Sequence, residues 1–348
     1  MPGIVDVARK AGVSITTASR VLNNVDYPVA AATRRRVEAA ARELRYSPSA
    51  LARALVTRRS GIVGVLVGDM VDPYFAEIAR GVEDTARRAG YLVVVCNTDR
   101  DPQTERRYVT TLSDYHVDAL IFIGGDIVSP PVQRKLKQQL TLAAKRGTLA
   151  VACAGEHAGL PTIDIDHRAA ARDMTRYLIN LGHRRIGFIG GPRDISTSGQ
   201  REAGFRAALA EVDLQPGLQV DADFTYAGGL QAARRLLVDH APTAIFAAND
   251  QMALGALNAA RALGLGVPAQ VTVVGFGDTG AAEHAAPALT TVSMPRHQLG
   301  QSAMQSLLTA MAAKTTRIEA CRLPYRIVLR ESSAPPCADT LGEEERIA

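Results

Sequence analysis

The chain has 348 residues, 47% hydrophobic and 22% charged, a size that accommodates two or more packed domains and a balance ordinary for a globular protein. No apolar run approaches the roughly 18 residues of a membrane span, Asp6, Arg9 and Lys10 interrupt the N-terminus before a signal sequence can form, and the four cysteines (Cys96, Cys153, Cys321, Cys337) are scattered without a CxxC pair, against a zinc site or a disulfide framework. The formal charge of +5 is uneven: residues 1–60 hold eleven Lys/Arg against four Asp/Glu, the remainder 29 against 31, so a phosphate-backbone partner is expected for the first sixth of the chain alone.

Residues 4–23 read IVDVARKAGVSITTASRVLN. Ile4, Val5, Ala8 and Ala11 fall at helical spacing, and Val13, Ala18, Val21 and Leu22 do the same, so two short amphipathic helices are expected. Gly12 ends the first by supplying a positive φ, and Ser14 stands at the N-cap of the second, with Thr17 three residues on. Two helices joined by such a turn form a helix-turn-helix, whose second helix enters the DNA major groove. The spacing by itself also fits a helical hairpin inside a core. A third helix is expected over 31–45, capped by Thr33, with Val37, Ala40, Ala41 and Leu44 closing a three-helix core. Pro48 breaks it, and Ser49 starts a helix of about two turns that has no core of its own. A helix so short is marginal in water and needs a partner, a second copy or DNA.

From residue 61 the texture changes. Strands are expected at 61–68, 91–97, 119–124, 149–154, 185–190, 244–248, 271–276 and 289–294, separated by patterned helices. This βα alternation predicts doubly wound parallel sheets, and about 290 residues suit two lobes better than one. The extended segment 160–166 is a plausible crossing between lobes, with a ligand cleft at the carboxyl ends of the strands. A helix over 298–313, a strand over 323–329 and a polar tail follow; the tail has no leucine heptad, which favours a dimer over higher oligomers.

Catalytic constellations are missing. GFGDTG at 275–280 matches GxGxxG, but Pro287 cuts short any helix after it and the following LTTVSM ends without an acid, so no dinucleotide site is expected. GGPRDISTSG lacks a P-loop lysine, no HExxH or GxSxG is present, and His183 in LGHRR suits a helix end. No cofactor and no metal are expected.

With these residues in view, the chain resembles the lac/purine repressor (LacI-type) family of bacterial transcriptional regulators over nearly its whole length. The resemblance rests on DVARKAGVSITTASRVLN, YSPSALARAL, YLINLGHRRIGFIGGP, AANDQMALGAL and PALTTV. It implies an all-α helix-turn-helix headpiece over 1–57 with a hinge helix at 49–55. It further implies an α/β two-lobed body like the periplasmic binding proteins over 58–348, with an N-lobe of about 61–163 and 293–321 and a C-lobe of about 164–292 and 322–331. By resemblance, Ile15, Thr16 and Arg20 face base edges, Ser14, Thr17 and Ser19 bond phosphates, and Leu55, with Ala52 beside it, wedges into the minor groove. Tyr74, Phe75 and Phe224 match ligand-stacking positions, and Asp166, Thr197, Arg201, Asn249 and Asp250 match polar cleft positions. Three departures stand out. Gly277 occupies a place where many relatives have Asp, with Asp278 next to it; His167 replaces the usual Asn after Asp166; and Ile195 stands where the purine branch has Arg. They argue against a purine ligand and leave any carboxylate clamp on sugar hydroxyls to an inward-turned Asp278.

The expected protein is a cytoplasmic homodimeric repressor of carbohydrate-related genes, bound to a pseudo-palindromic operator and controlled by a sugar or sugar derivative, with no membrane partner. A purine- or nucleoside-responsive regulator and a sugar-binding module without a DNA role are the alternatives.

Overall fold

The structure, a computed structural model, describes residues 2–23, 27–46, 60–216 and 218–337. Three helices open the chain: α1 (Ile4–Ala11), α2 (Ile15–Leu22) and α3 (Ala31–Glu43). Gly12 takes φ 63° after α1, and the Ser14 hydroxyl accepts the Thr17 N–H at 3.1 Å to cap α2. Val7, Ala8, Ala11, Ala18, Val21, Val37, Ala40 and Ala41 form their core. The buried arc of α1 therefore runs through Ile4, Val7, Ala8 and Ala11, the i, i+3, i+4, i+7 set, and the expected Val5 faces solvent. Thr33 does not cap α3: it lies inside the first turn of a helix that starts at Ala31, and the N-cap position, Ala30, offers no side-chain cap. The expected hinge helix at 49–55, with Ala52 and Leu55, lies outside the described residues.

Twelve strands among the described residues build two six-stranded sheets. The first contains β1 (Ile62–Val67), β2 (Leu92–Asn97), β3 (Ala119–Ile123), β4 (Leu149–Cys153), β5 (Thr162–Asp164) and β11 (Cys321–Arg322), in the order β2-β1-β3-β4-β5-β11 and all parallel. The second contains β6 (Ile186–Gly190), β7 (Gln219–Asp221), β8 (Ala244–Ala247), β9 (Thr272–Gly277), β10 (Thr290–Ser293) and β12 (Arg326–Val328), in the order β7-β6-β8-β9-β10-β12, with β12 alone antiparallel. The central strands ALIFI and TVVGFG are buried throughout, as parallel strands covered by helices on both faces must be.

The chain passes between sheets three times. After β5 it enters the second lobe with α7 (His167–Asn180), which packs on α8 (Ser196–Ala210). After β10 it returns with α12 (Arg296–Ala312), which packs on α4 (Pro73–Arg88). Between β11 and β12 it crosses again. The α4–α12 contact is backbone-close: a Cβ on Gly81 would sit 2.0 Å from the His297 carbonyl oxygen, and one on Gly300 2.0 Å from that of Ile78.

Three elements differ from expectation. Segment 160–166 is extended, but Thr162–Asp164 is also a strand, paired with β4 through Ala152 and Cys153. β7 was not anticipated; like β5 it has three residues, too few to show an alternation. Within the strand expected at 323–329 only Arg326–Val328, β12, pairs, on the second sheet; the two-residue β11 just before it, on the first sheet, was not anticipated.

Candidate functional site

On the headpiece, Ile15 and Thr16 point outward from the first turn of α2, Ile15 at 50% exposure, while Ala18 and Val21 face the core. The alternative of a purely internal helical hairpin leaves such an exposed isoleucine unaccounted for. The Ser14 and Thr17 hydroxyls lie 2.9 Å apart at the N-terminus of α2. Ser19 accepts from Asn23 Nδ2 at 3.1 Å, and the Arg20 guanidinium lies 3.8 Å from the centre of the Tyr27 ring. Tyr27 was not singled out from sequence; its place in the loop after α2 carries no periodic signal.

In the body, a cleft of about 980 Å³, counting its open mouth, lies at the carboxyl ends of the strands of both sheets. The lobes touch beside it: the Val128 N–H donates to Asp194 O at 2.6 Å and the Ser196 N–H to Asp126 O at 2.9 Å. Four of the chain's seven phenylalanines line it: Phe75, Phe122, Phe224 and Phe276. Phe75 meets Tyr74 edge-on at 5.1 Å from the first turn of α4, and the Tyr74 hydroxyl donates to Ala154 O at 3.3 Å. Burial pushes that phenol well above its ordinary pKa. Phe224 adopts φ 68°, and Asn249 holds it there by donating from Nδ2 to its carbonyl at 2.8 Å while capping α10 (Asp250–Ala262) through the Met252 N–H.

Arg201, on α8, is buried at the cleft floor. Its Nε donates to His167 Nδ1 at 3.3 Å, a second nitrogen donates to Ala248 O, and its plane lies 4.1 Å from the centre of Phe276. Thr197, one turn earlier, also lines the cleft. Asp250 is fully enclosed: it accepts the Thr279 N–H at 2.7 Å, the Thr279 hydroxyl at 3.1 Å and the Thr291 hydroxyl at 2.6 Å. Burial raises its carboxyl pKa against these donors, so it braces the wall rather than offering a free charge. Asp72, at the N-cap of α4, accepts the Tyr74 N–H at 2.9 Å and is likewise raised by burial, opposed by that bond and by the Arg100 charge.

Two expected cleft residues lie elsewhere. Asp166 caps α7 through the Ala169 N–H and pairs with Arg322 at 2.9 Å, lining a neighbouring hollow beside Asp126 and His157 rather than the cleft itself. Asp278, at φ 59°, turns away from the cleft to pair with Arg330 at 2.7 Å. The bend at Gly277 and Asp278, both at positive φ, lets the side chain turn outward, and Arg330, two residues past β12, holds it there. Conversely, Arg100, Gln251, Asp72, Phe122 and Phe276 line the cleft without having been anticipated. Arg100 and Phe276 stand at or just past carboxyl ends of strands, the signal that points to them. The His183 side chain does not act on a helix end: it meets Thr243 at 3.0 Å and Ala334 O at 2.9 Å, and only its backbone N–H reaches the end of α7, at Leu178 O. Among the described residues no helix is long and apolar enough to cross a membrane, and no group of three His, Cys, Asp or Glu side chains is placed to hold a metal.

A basic helix-turn-helix joined to a two-lobed α/β body with a cleft between the lobes defines an effector-controlled DNA-binding regulator. Residues 3–49 match the family described as bacterial regulatory proteins, lacI family, and residues 175–333 match a periplasmic binding protein-like domain. The chain is 35% identical over 334 residues to the HTH-type transcriptional repressor CytR of Escherichia coli (strain K12), covering 94% of this chain and 95% of that protein. It superposes on the lac repressor dimer bound to operator and the anti-inducer ONPF with a TM-score of 0.82 at 29% identity, covering 96% and 99% of the two chains. With a CelR–cellobiose complex the TM-score is 0.71 at 33% identity, covering 96% and 100%. The chain belongs to the LacI family: it is a DNA-binding transcriptional regulator with an effector-binding body, not an enzyme.

Proposed function

We propose that this regulator acts in the cytoplasm as a homodimeric repressor of carbohydrate-related genes, bound to a pseudo-palindromic operator. A sugar or sugar derivative held between the lobes sets its operator affinity. The headpiece spans 1–57, with a hinge helix at 49–55. The body spans 58–348, with lobes of about 61–163 plus 293–321 and 164–292 plus 322–331. Ile15 and Thr16 contact thymine methyls and Arg20 a guanine edge, while Ser14, Thr17 and Ser19 hold phosphates. Leu55, with Ala52, wedges the minor groove at the centre of the site. Tyr74, Phe75 and Phe224 supply flat apolar surface to the effector, and Thr197 and Arg201 supply hydrogen bonds. Asn249 and Asp250 hold the cleft wall in shape.

The observation that carries this reading is the union in one chain of an outward-facing Ile15–Thr16 edge with an inter-lobe cleft lined by aromatic rings and Arg201. The cellobiose held by a solved relative supports a sugar-type effector. Coupling between cleft and headpiece is expected at about 1–3 kcal/mol, a 5–150-fold change in operator affinity, and it is reciprocal. Duplex selected by the full chain from a random pool should contain two related half-sites, with affinity falling steeply with salt. Compounds that raise Tm should then shift that affinity. A pool without two-fold related sites, or ligands without influence on DNA binding, would refute the reading.

A further inference from the structure

The polar groups around the cleft are unequally occupied. Most of the acids are engaged: Asp250 has three donors, Asp126 accepts from Gln133 Nε2 at 3.0 Å and the Ala158 N–H at 2.8 Å, Asp101 accepts the Thr104 N–H at 2.7 Å, and Glu105 lies 3.0 Å from His157 Nε2. Asp278 is paired with Arg330, and its neighbour Gly277 has no side chain to offer. Asp72 is left with the Tyr74 N–H as its one hydrogen-bond donor.

The two arginines are less fully engaged. Arg201 is 5% exposed, yet its partners are neutral: an imidazole nitrogen, a carbonyl and a ring face. Among the described residues no carboxylate lies within ion-pair distance of it: Asp164 stands behind His167, 3.1 Å from the far ring nitrogen, and Asp72 and Asp250 act on it only from beyond that distance. From the other lobe, Arg100 reaches over Phe75 and Phe224, its guanidinium 5.8 and 5.9 Å from the ring centres, with Asp69 at 3.8 Å as its distant ion-pair partner. A buried guanidinium without a facing carboxylate is a site for an incoming anion, because its planar fork matches two oxygens at once.

We infer that the effector is an anion whose carboxylate or phosphate oxygens dock on Arg201 and face Arg100 across the cleft, its carbon frame lying against Phe75 and Phe224. This deepens the reading of the cleft as the effector site and rests on it. A sugar acid and a sugar phosphate present the same oxygen chemistry.

The test is calorimetric titration of the full chain with matched sets: glucose, gluconate, glucuronate and glucose 6-phosphate, and the corresponding galactose and ribose compounds, with inorganic sulfate and phosphate as minimal probes at constant ionic strength. In at least one set an anionic member should bind about tenfold tighter than its neutral parent, and carboxylate and phosphate arms identify the source. Arg201→Lys, which keeps the charge and loses the fork, should weaken that anion by about tenfold or more, and Arg100→Gln, at the cleft mouth, by roughly fivefold. Melting of the ligand-free variants checks that they fold. A neutral parent binding as tightly as its anions overturns the inference and leaves the cleft reading standing. No response to any anion, inorganic probes included, also overturns it; if operator affinity in addition ignores every neutral sugar, the cleft reading falls with it.

Discussion

Arg296 stands where the chain re-enters the first lobe, and it joins three parts of the body. Its Nε donates to Glu77 of α4 at 2.8 Å, and its terminal nitrogens donate to the carbonyls of Gly277 and, at 2.7 Å, Asp278 at the end of β9. Those two residues have φ of 138° and 59°, a bend that needs holding from outside. Arg296→Met keeps the apolar stem and removes the fork. Two charge-assisted bonds to buried carbonyls are each worth about 1.5 kcal/mol net. The Glu77 pair is discounted to about 0.5 kcal/mol because that side chain is 45% exposed. The expected loss is therefore about 3–4 kcal/mol, read as a lower urea midpoint for the full chain. A double-mutant cycle with Glu77→Gln should return a coupling near the small figure. The consequence for regulation follows from the neighbouring bond: Asp250 holds Thr279, so a loosened bend at Gly277 and Asp278 disturbs the cleft wall and blunts the effector's influence on DNA binding. Arg296→Lys, with charge but no fork, should fall between. An Arg296→Met protein with unchanged midpoint and unchanged effector response would refute the argument.

Other outcomes follow from single contacts. Ser14→Ala removes the cap on α2 and should cost about 1 kcal/mol of headpiece stability, seen as faster amide exchange at Thr17; Ser14→Asp should keep the cap but weaken operator binding by placing a carboxylate against phosphate. Gly81→Ala forces a Cβ against the His297 carbonyl, so α4 and α12 must part, lowering stability by about 1–3 kcal/mol or more in thermal unfolding. Burial holds the His183 pKa below its usual value near 6.5, so the unfolded chain binds its proton first. Its contribution is thus present above about pH 6.5 and lost as pH falls through the lowered value. Tm measured from pH 7.5 to 5 should show that loss, and His183→Gln should flatten it.

Local chemistry was legible where a signal repeats or a residue type is obligatory. The helical period of residues 4–22, Gly12 at a positive φ and Ser14 at the cap identify the reading helix, because each acts within one turn of chain. The apolar runs of β1, β3, β8 and β9 are recognisable for the same reason: strands buried on both faces must be apolar along their length. The cleft could be placed at strand ends, and Tyr74, Phe75, Thr197, Arg201 and Phe224 do line it.

What tertiary structure alone decided concerns where charges find partners. Asp278 sits one residue from the cleft in sequence, yet its partner Arg330 comes from 52 residues away and draws it outward. Asp166 is likewise taken by Arg322, and Asp250 by Thr279 and Thr291. Arg100 and Arg201 come from different lobes and share one cavity only because two sheets of the same winding face each other. A carboxylate or a guanidinium announces its charge in the sequence, but whether that charge is spent inside the protein or left for a ligand depends on distances of a few ångströms between segments far apart in the chain. Electrostatic and hydrogen-bond energies fall off over those same few ångströms. So the helix-turn-helix on its basic N-terminal stretch belongs to the sequence, and the anion-seeking floor of the cleft to the fold.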